Sequence, residues 1–78
     1  MHKVSLHAAR LRFRRHSARK DDYRYIGRLK RRESARYYDG ARFALMDGNI
    51  VRDWGDLEAV ERWCRRAGVL DQTECLER

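Results

Sequence analysis

Between Asp56 and Ala67 the chain spaces its apolar residues as a helix uses them. Leu57, Val60, Cys64 and Ala67 recur three or four positions apart, and Trp63 widens the stripe. Glu58–Arg62 and Glu61–Arg65 stand four apart with the acid first, the orientation that supports a helix. Asp53 or Asp56 can cap the start, Arg65 and Arg66 fill the last turn, and Gly68 stands where a left-handed C-cap belongs. A one-sided helix needs an apolar face to lie on, so the preceding residues must supply one.

They read as strands. Residues 41–46 alternate around Phe43 and Leu45, residues 50–54 follow, and Asp47-Gly48-Asn49 between them is strong hairpin chemistry. Upstream, residues 23–31 alternate as well. Tyr23, Tyr25, Gly27 and Leu29 share one face, and Arg24, Ile26, Arg28 and Lys30 the other. Tyr37-Tyr38-Asp39-Gly40 marks a second turn, and residues 30–36 form either a basic turn or a strand extension. Near the N-terminus, Val4, Leu6 and Ala8, then Ala9, Leu11 and Phe13, fit a strand with a bulge between Ala8 and Ala9. The competing helix over 4–19 spreads its apolar groups around the axis. Asp71 and Glu74 have capping-box spacing and point to a last helical turn. The fold class expected is α+β: a three- to four-stranded antiparallel sheet with one C-terminal amphipathic helix packed on one face. The chain reads as a single small domain, with a basic part at 1–36, a hairpin plus helix at 41–68 and a tail at 69–78.

Charge divides the chain in the same way. Sixteen of the nineteen basic residues are arginine and the net charge is +7. Residues 1–36 hold thirteen Lys/Arg against three Asp/Glu, a balance of +10, whereas residues 37–78 hold six against nine, a balance of −3. Arginine suits bidentate contact with phosphate or carboxylate, so this asymmetry points to nucleic acid or an acidic protein surface. In the strand reading Arg10, Arg12 and Arg14 share a face, with Arg15 beside them. Lys30, Arg31 and Arg32 form a basic run. Tyr23 and Tyr25 interleave with Arg24 and Arg28, and Tyr37 and Tyr38 lie between Arg36 and Arg42. Such mixtures stack bases, clamp a phosphate backbone or build protein interfaces. The alternative is that the tyrosines pack the core while the arginines are solvated. Trp54 and Trp63 are read as core, as is Cys64.

Little else carries chemistry. Ser5, Ser17 and Ser34 lack a nucleophile-elbow context, the glycines do not form a phosphate loop, and His2, His7 and His16 match no zinc spacing with the two cysteines. No enzymatic role, cofactor or metal is expected. No segment approaches the roughly 20 apolar residues of a membrane span, and no signal peptide is seen. The expected setting is therefore cytoplasmic, with reduced thiols.

Arg52-Asp53-Trp54-Gly55-Asp56-Leu57-Glu58-Ala59-Val60-Glu61-Arg62-Trp63-Cys64 resembles the strand-to-helix junction of a small phage-encoded type I anti-CRISPR family. The likeness lies in Arg52, Asp53 and Trp54, then Glu58, Val60, Glu61 and Trp63. It implies a non-enzymatic inhibitor that binds a CRISPR surveillance complex and blocks its access to DNA, and it transfers no binding residues. The order of Tyr23-Arg24-Tyr25, hairpin and helix is also similar to the arm-type DNA-binding domains of phage integrases, which implies direct DNA or RNA binding through an Arg/Tyr-lined sheet. The expected partners are thus a protein or nucleoprotein complex, or nucleic acid, with the chain acting as a monomer or, through an open sheet edge, a homodimer.

Overall fold

The computed structural model describes all 78 residues. Its elements are β1 (His2–Val4), α1 (Leu6–Arg19), β2 (Arg24–Arg28), α2 (Arg31–Tyr37), β3 (Phe43–Asp47), β4 (Ile50–Gly55), α3 (Leu57–Arg66) and β5 (Glu74–Leu76). The architecture is α+β, with a three-stranded antiparallel sheet in the order β2-β3-β4 and a separate parallel pair, β1-β5. There are three helices rather than one, and none is long and apolar enough to cross a membrane.

The hairpin and α3 form where the residues require them. Gly48 takes φ +61° in the β3–β4 turn, and Gly68 takes φ +77° just beyond α3. There the amides of Val69 and Leu70 reach back to the Cys64 carbonyl, closing the helix end. Asp56 occupies the N-cap position of α3, but its side chain caps nothing. Its carboxylate instead accepts from the backbone N–H and the Nε of Arg42, at 3.1 and 3.3 Å. Asp53 is also otherwise employed: its Oδ2 accepts the Trp63 indole N–H at 2.9 Å, and its Oδ1 accepts the Trp54 amide at 2.9 Å.

The N-terminal strand expected over residues 4–13 is a helix from Leu6 onward, with only Val4 in a strand. Ser5 caps it, accepting from the Ala8 amide at 3.1 Å. No β-branched residue, glycine or proline interrupts residues 5–20. Its buried stripe is narrow (Ala9, Phe13 and Ser17, with Leu6 partly covered), and Leu11 is left half-buried outside it. Residues 30–36, read as a basic turn or strand extension, fall from Arg31 onward in the short helix α2. The buried Ser34 hydroxyl ties it to the Ala41 carbonyl. The helical turn expected at 71–76 is a strand instead. Half of the capping box survives, with the Asp71 amide donating to Glu74 Oε1 at 3.3 Å, but Asp71 Oδ1 accepts from the amide and hydroxyl of Thr73 and makes a turn. β5 then pairs with β1 in the register His2↔Glu74 to Val4↔Leu76, and Glu61 Oε1 accepts the Leu76 amide at 2.8 Å.

One core serves all these elements. Val4, Ala9, Phe13, Ile26, Phe43, Ala59, Val60, Trp63, Cys64, Leu70 and Leu76 form a continuous buried cluster. Both long helices therefore lie on the sheet face that carries Ile26, Phe43 and Leu45. The molecule is 17 Å thick along its shortest axis, about one helix layer on one sheet, so the opposite face bears no long helix, although Ala44 on it is fully buried beneath its neighbours. The register assigns that face to Tyr25, Gly27, Ala44, Met46, Val51 and Trp54. Trp54, expected in the core, stands on it 40% exposed. Arg24 and Arg28 share a side with Ile26, so the alternation anticipated in β2 is present, but the tyrosine side is the open one.

Candidate nucleic-acid interface

Seven of the nineteen Lys/Arg residues lie within 4.0 Å of a carboxylate: Arg12, Arg24, Arg42, Arg52, Arg62, Arg65 and Arg78. Of the thirteen in residues 1–36 only Arg12 and Arg24 are paired, which leaves eleven without an acidic partner; of the six in residues 37–78 only Arg66 is unpaired. Folding thus sharpens the charge asymmetry, because the C-terminal cations are neutralised locally and the N-terminal ones are not.

Two clefts hold four of the unpaired arginines, Arg10, Arg14, Arg28 and Arg31. The first lies between α1 and β2, lined by His7, Arg10, Leu11, Arg14, Tyr25 and Ile26, with a volume of about 470 Å³. Residues 7, 10, 11 and 14 follow helical spacing, which is why reading this segment as a strand separated them. Arg10 leans onto the outer edge of β2, where its Nε donates to the Ile26 carbonyl at 3.0 Å. Partial burial, and then the neighbouring Arg28 guanidinium, hold the Arg10 pKa below its ordinary value. The second cleft, about 610 Å³, opens at the far end of β2 and includes Arg28, Arg31, Arg42 and Arg78 among its walls, with Glu77 as its one carboxylate. Arg28 and Arg42 each lie 5.8 Å from the centre of the Phe43 ring, which steadies both guanidinium groups. Arg28 thus links the clefts, and Arg14, Arg10, Arg28 and Arg31 form a strip along the edge of the sheet with no acidic partner among them.

The other candidates fall elsewhere. Arg12, expected on the same face as Arg10 and Arg14, is carried by the helix to the opposite flank of α1. There it donates to Glu74 and to the Val69 carbonyl. Arg24 is held between Asp22 and Asp47, at 3.9 and 3.8 Å. Arg42 lines the second cleft but is paired with Asp56. Arg15, Lys30, Arg32 and Arg36 are exposed and line neither cleft, and Arg36 rests 5.5 Å over the Tyr37 ring. Tyr23 is exposed in a left-handed turn, with its hydroxyl donating to Asp21. His7 and Leu11 were missed, and their signal was the helical spacing itself. Arg78 was missed because its place in the second cleft depends on the β1-β5 pairing.

Compared with family models, curated proteins and solved structures, the chain matches none.

Proposed function

We propose that this chain is a non-enzymatic binding protein that takes the phosphate backbone of nucleic acid along the strip Arg14–Arg10–Arg28–Arg31. One observation carries the reading: Arg10, partly buried with its Nε on the Ile26 carbonyl, stands beside Arg28 at a sheet edge, Arg14 and Arg31 line the adjoining clefts, and none of the four lies within 4.0 Å of a carboxylate. Such a cluster repels itself in the free protein and is relieved by a polyanion. Guanidinium groups are suited to phosphate, because each presents a fork of donors. Neither cleft holds a nucleophile–base pair, and the serines and Cys64 are occupied with caps, ties and core packing.

A second reading is an anti-CRISPR-like inhibitor acting in a bacterial cytoplasm. It rests on the sequence resemblance of Arg52–Cys64, a segment that spans a strand and a helix here as in many sheet-plus-helix proteins. In that reading the same strip occupies a DNA channel or a guide-RNA backbone in a nucleoprotein complex. The two readings separate in a capture experiment from host lysate after nuclease treatment, run beside binding to purified nucleic acid. Salt-sensitive binding to purified nucleic acid with no retained protein supports the first. A stoichiometric, nuclease-resistant protein partner without such binding overturns it in favour of the second.

A further inference from the structure

We infer that the nucleic acid held by this strip is single-stranded, with its unpaired bases stacked on the open face of the sheet. The inference rests on the phosphate-binding reading and deepens it.

Tyr25 joins the two surfaces. It lines the first cleft with Arg10 and Arg14, and by register it belongs to the open face. Its hydroxyl donates to the Gly48 carbonyl at 3.4 Å, and its ring edge lies 3.4 Å from where a Cβ on Gly27 would stand. These two contacts tie the ring to the sheet surface and leave the residue 39% exposed. At the other side of the sheet Trp54 is 40% exposed and supported by Tyr38, whose ring lies 5.3 Å away at 61°. Tyr37 extends that aromatic row at 6.4 Å from Tyr38, with Arg36 over it.

Between the two platforms the register places only Gly27, Ala44 and Met46, of which Ala44 is fully covered and the other two are half-buried. Strand spacing puts Tyr25 and Trp54 roughly 12 Å apart at their Cα atoms, a distance that two bases on an extended strand can span. None of the six sheet positions on this face is acidic, and guanidinium groups stand at both ends, Arg10 and Arg14 beside Tyr25 and Arg36 beside Tyr37. A duplex hides the faces of its bases in its own stack, so it can use the strip but not the platforms. An unpaired strand uses both, and base–aromatic stacking tolerates any sequence because every base has a π-face.

The test compares four fluorescent 12-nucleotide probes with the wild-type protein: a single-stranded deoxyoligonucleotide, its ribonucleotide counterpart, the duplex, and an abasic strand that keeps the phosphates and lacks the bases. Both single strands are expected to bind at least tenfold more tightly than the duplex and the abasic strand. Tyr25→Ala should remove most of that advantage, and Tyr25→Phe should restore it. The single strand should also quench the fluorescence of Trp54, an effect that Trp54→Phe abolishes. Equal binding of the abasic and base-bearing strands overturns base stacking and leaves the phosphate reading standing. No binding to any of the four overturns both.

Discussion

Asp53 shows how far a single carboxylate is committed to the scaffold. It accepts the indole N–H of Trp63, which is only 2% exposed, and the amide of Trp54, with Arg62 at 3.8 Å. The Trp63 hydrogen bond, then the Trp54 amide and Arg62, hold its pKa below the ordinary aspartate value against the opposing effect of burial. A carboxylate depressed in the folded state contributes stability that is fully present above its unfolded pKa, near pH 4, and is lost as pH falls through the lower folded value. Asp53→Ala should cost about 1–3 kcal/mol near neutral pH, because it strands a buried indole donor. Asp53→Asn should flatten the acid limb of the urea midpoint plotted against pH. A variant whose acid limb matches the wild type would show that this carboxylate is not coupled to folding. The two thiols should also behave differently. Burial pushes the Cys64 thiol up to about 11, whereas Cys75 is partly exposed. A disulfide reagent at neutral pH is expected to titrate one thiol in the folded protein and both after denaturation.

At the scale of elements, the β4–α3 junction depends on the absence of a side chain. A Cβ on Gly55 would lie 2.5 Å from the Cβ of Ala59. Gly55→Ala should therefore destabilise by about 1–3 kcal/mol, and adding Ala59→Gly should recover part of the loss beyond what the single variants sum to. This junction was legible in the sequence, because the Gly68 C-cap, the charge order and the apolar spacing agree over residues 56–68, even though neither Asp53 nor Asp56 caps the helix. The β3–β4 hairpin was legible for the same reason. α1 was not: its apolar stripe is narrow, Leu11 lies half-buried beside it in the cleft toward β2, and a local alternation around Ala8 and Ala9 imitates a strand. The decisive local signals were Ser5 as a cap and a run without β-branched residues, so Ser5→Ala should cost about 1 kcal/mol in thermal or urea unfolding. The β1-β5 pair could not be read locally at all, since it joins residues more than seventy positions apart.

For the molecule as a whole, the candidate site was half legible. The sequence placed the positive charge in residues 1–36, but its division into a strip, two neutralised arginines and a solvated remainder followed from α1 being a helix. Tyr25 was named as a binding residue, while Trp54 was assigned to the core and stands on the open face. Because the strip repels itself, a polyanion such as heparin should raise the melting temperature, and the gain should shrink as salt is added. The most direct measurement is affinity for a single-stranded oligonucleotide across a salt series. Four phosphates held by Arg14, Arg10, Arg28 and Arg31 predict a log–log slope of about −3, and Arg10→Ala with Arg28→Ala should reduce its magnitude by about 1.4. Reversing Arg15 and Arg32 instead should change it less. A slope near zero, or a steep slope that removal of Arg10 and Arg28 leaves untouched, would contradict the account.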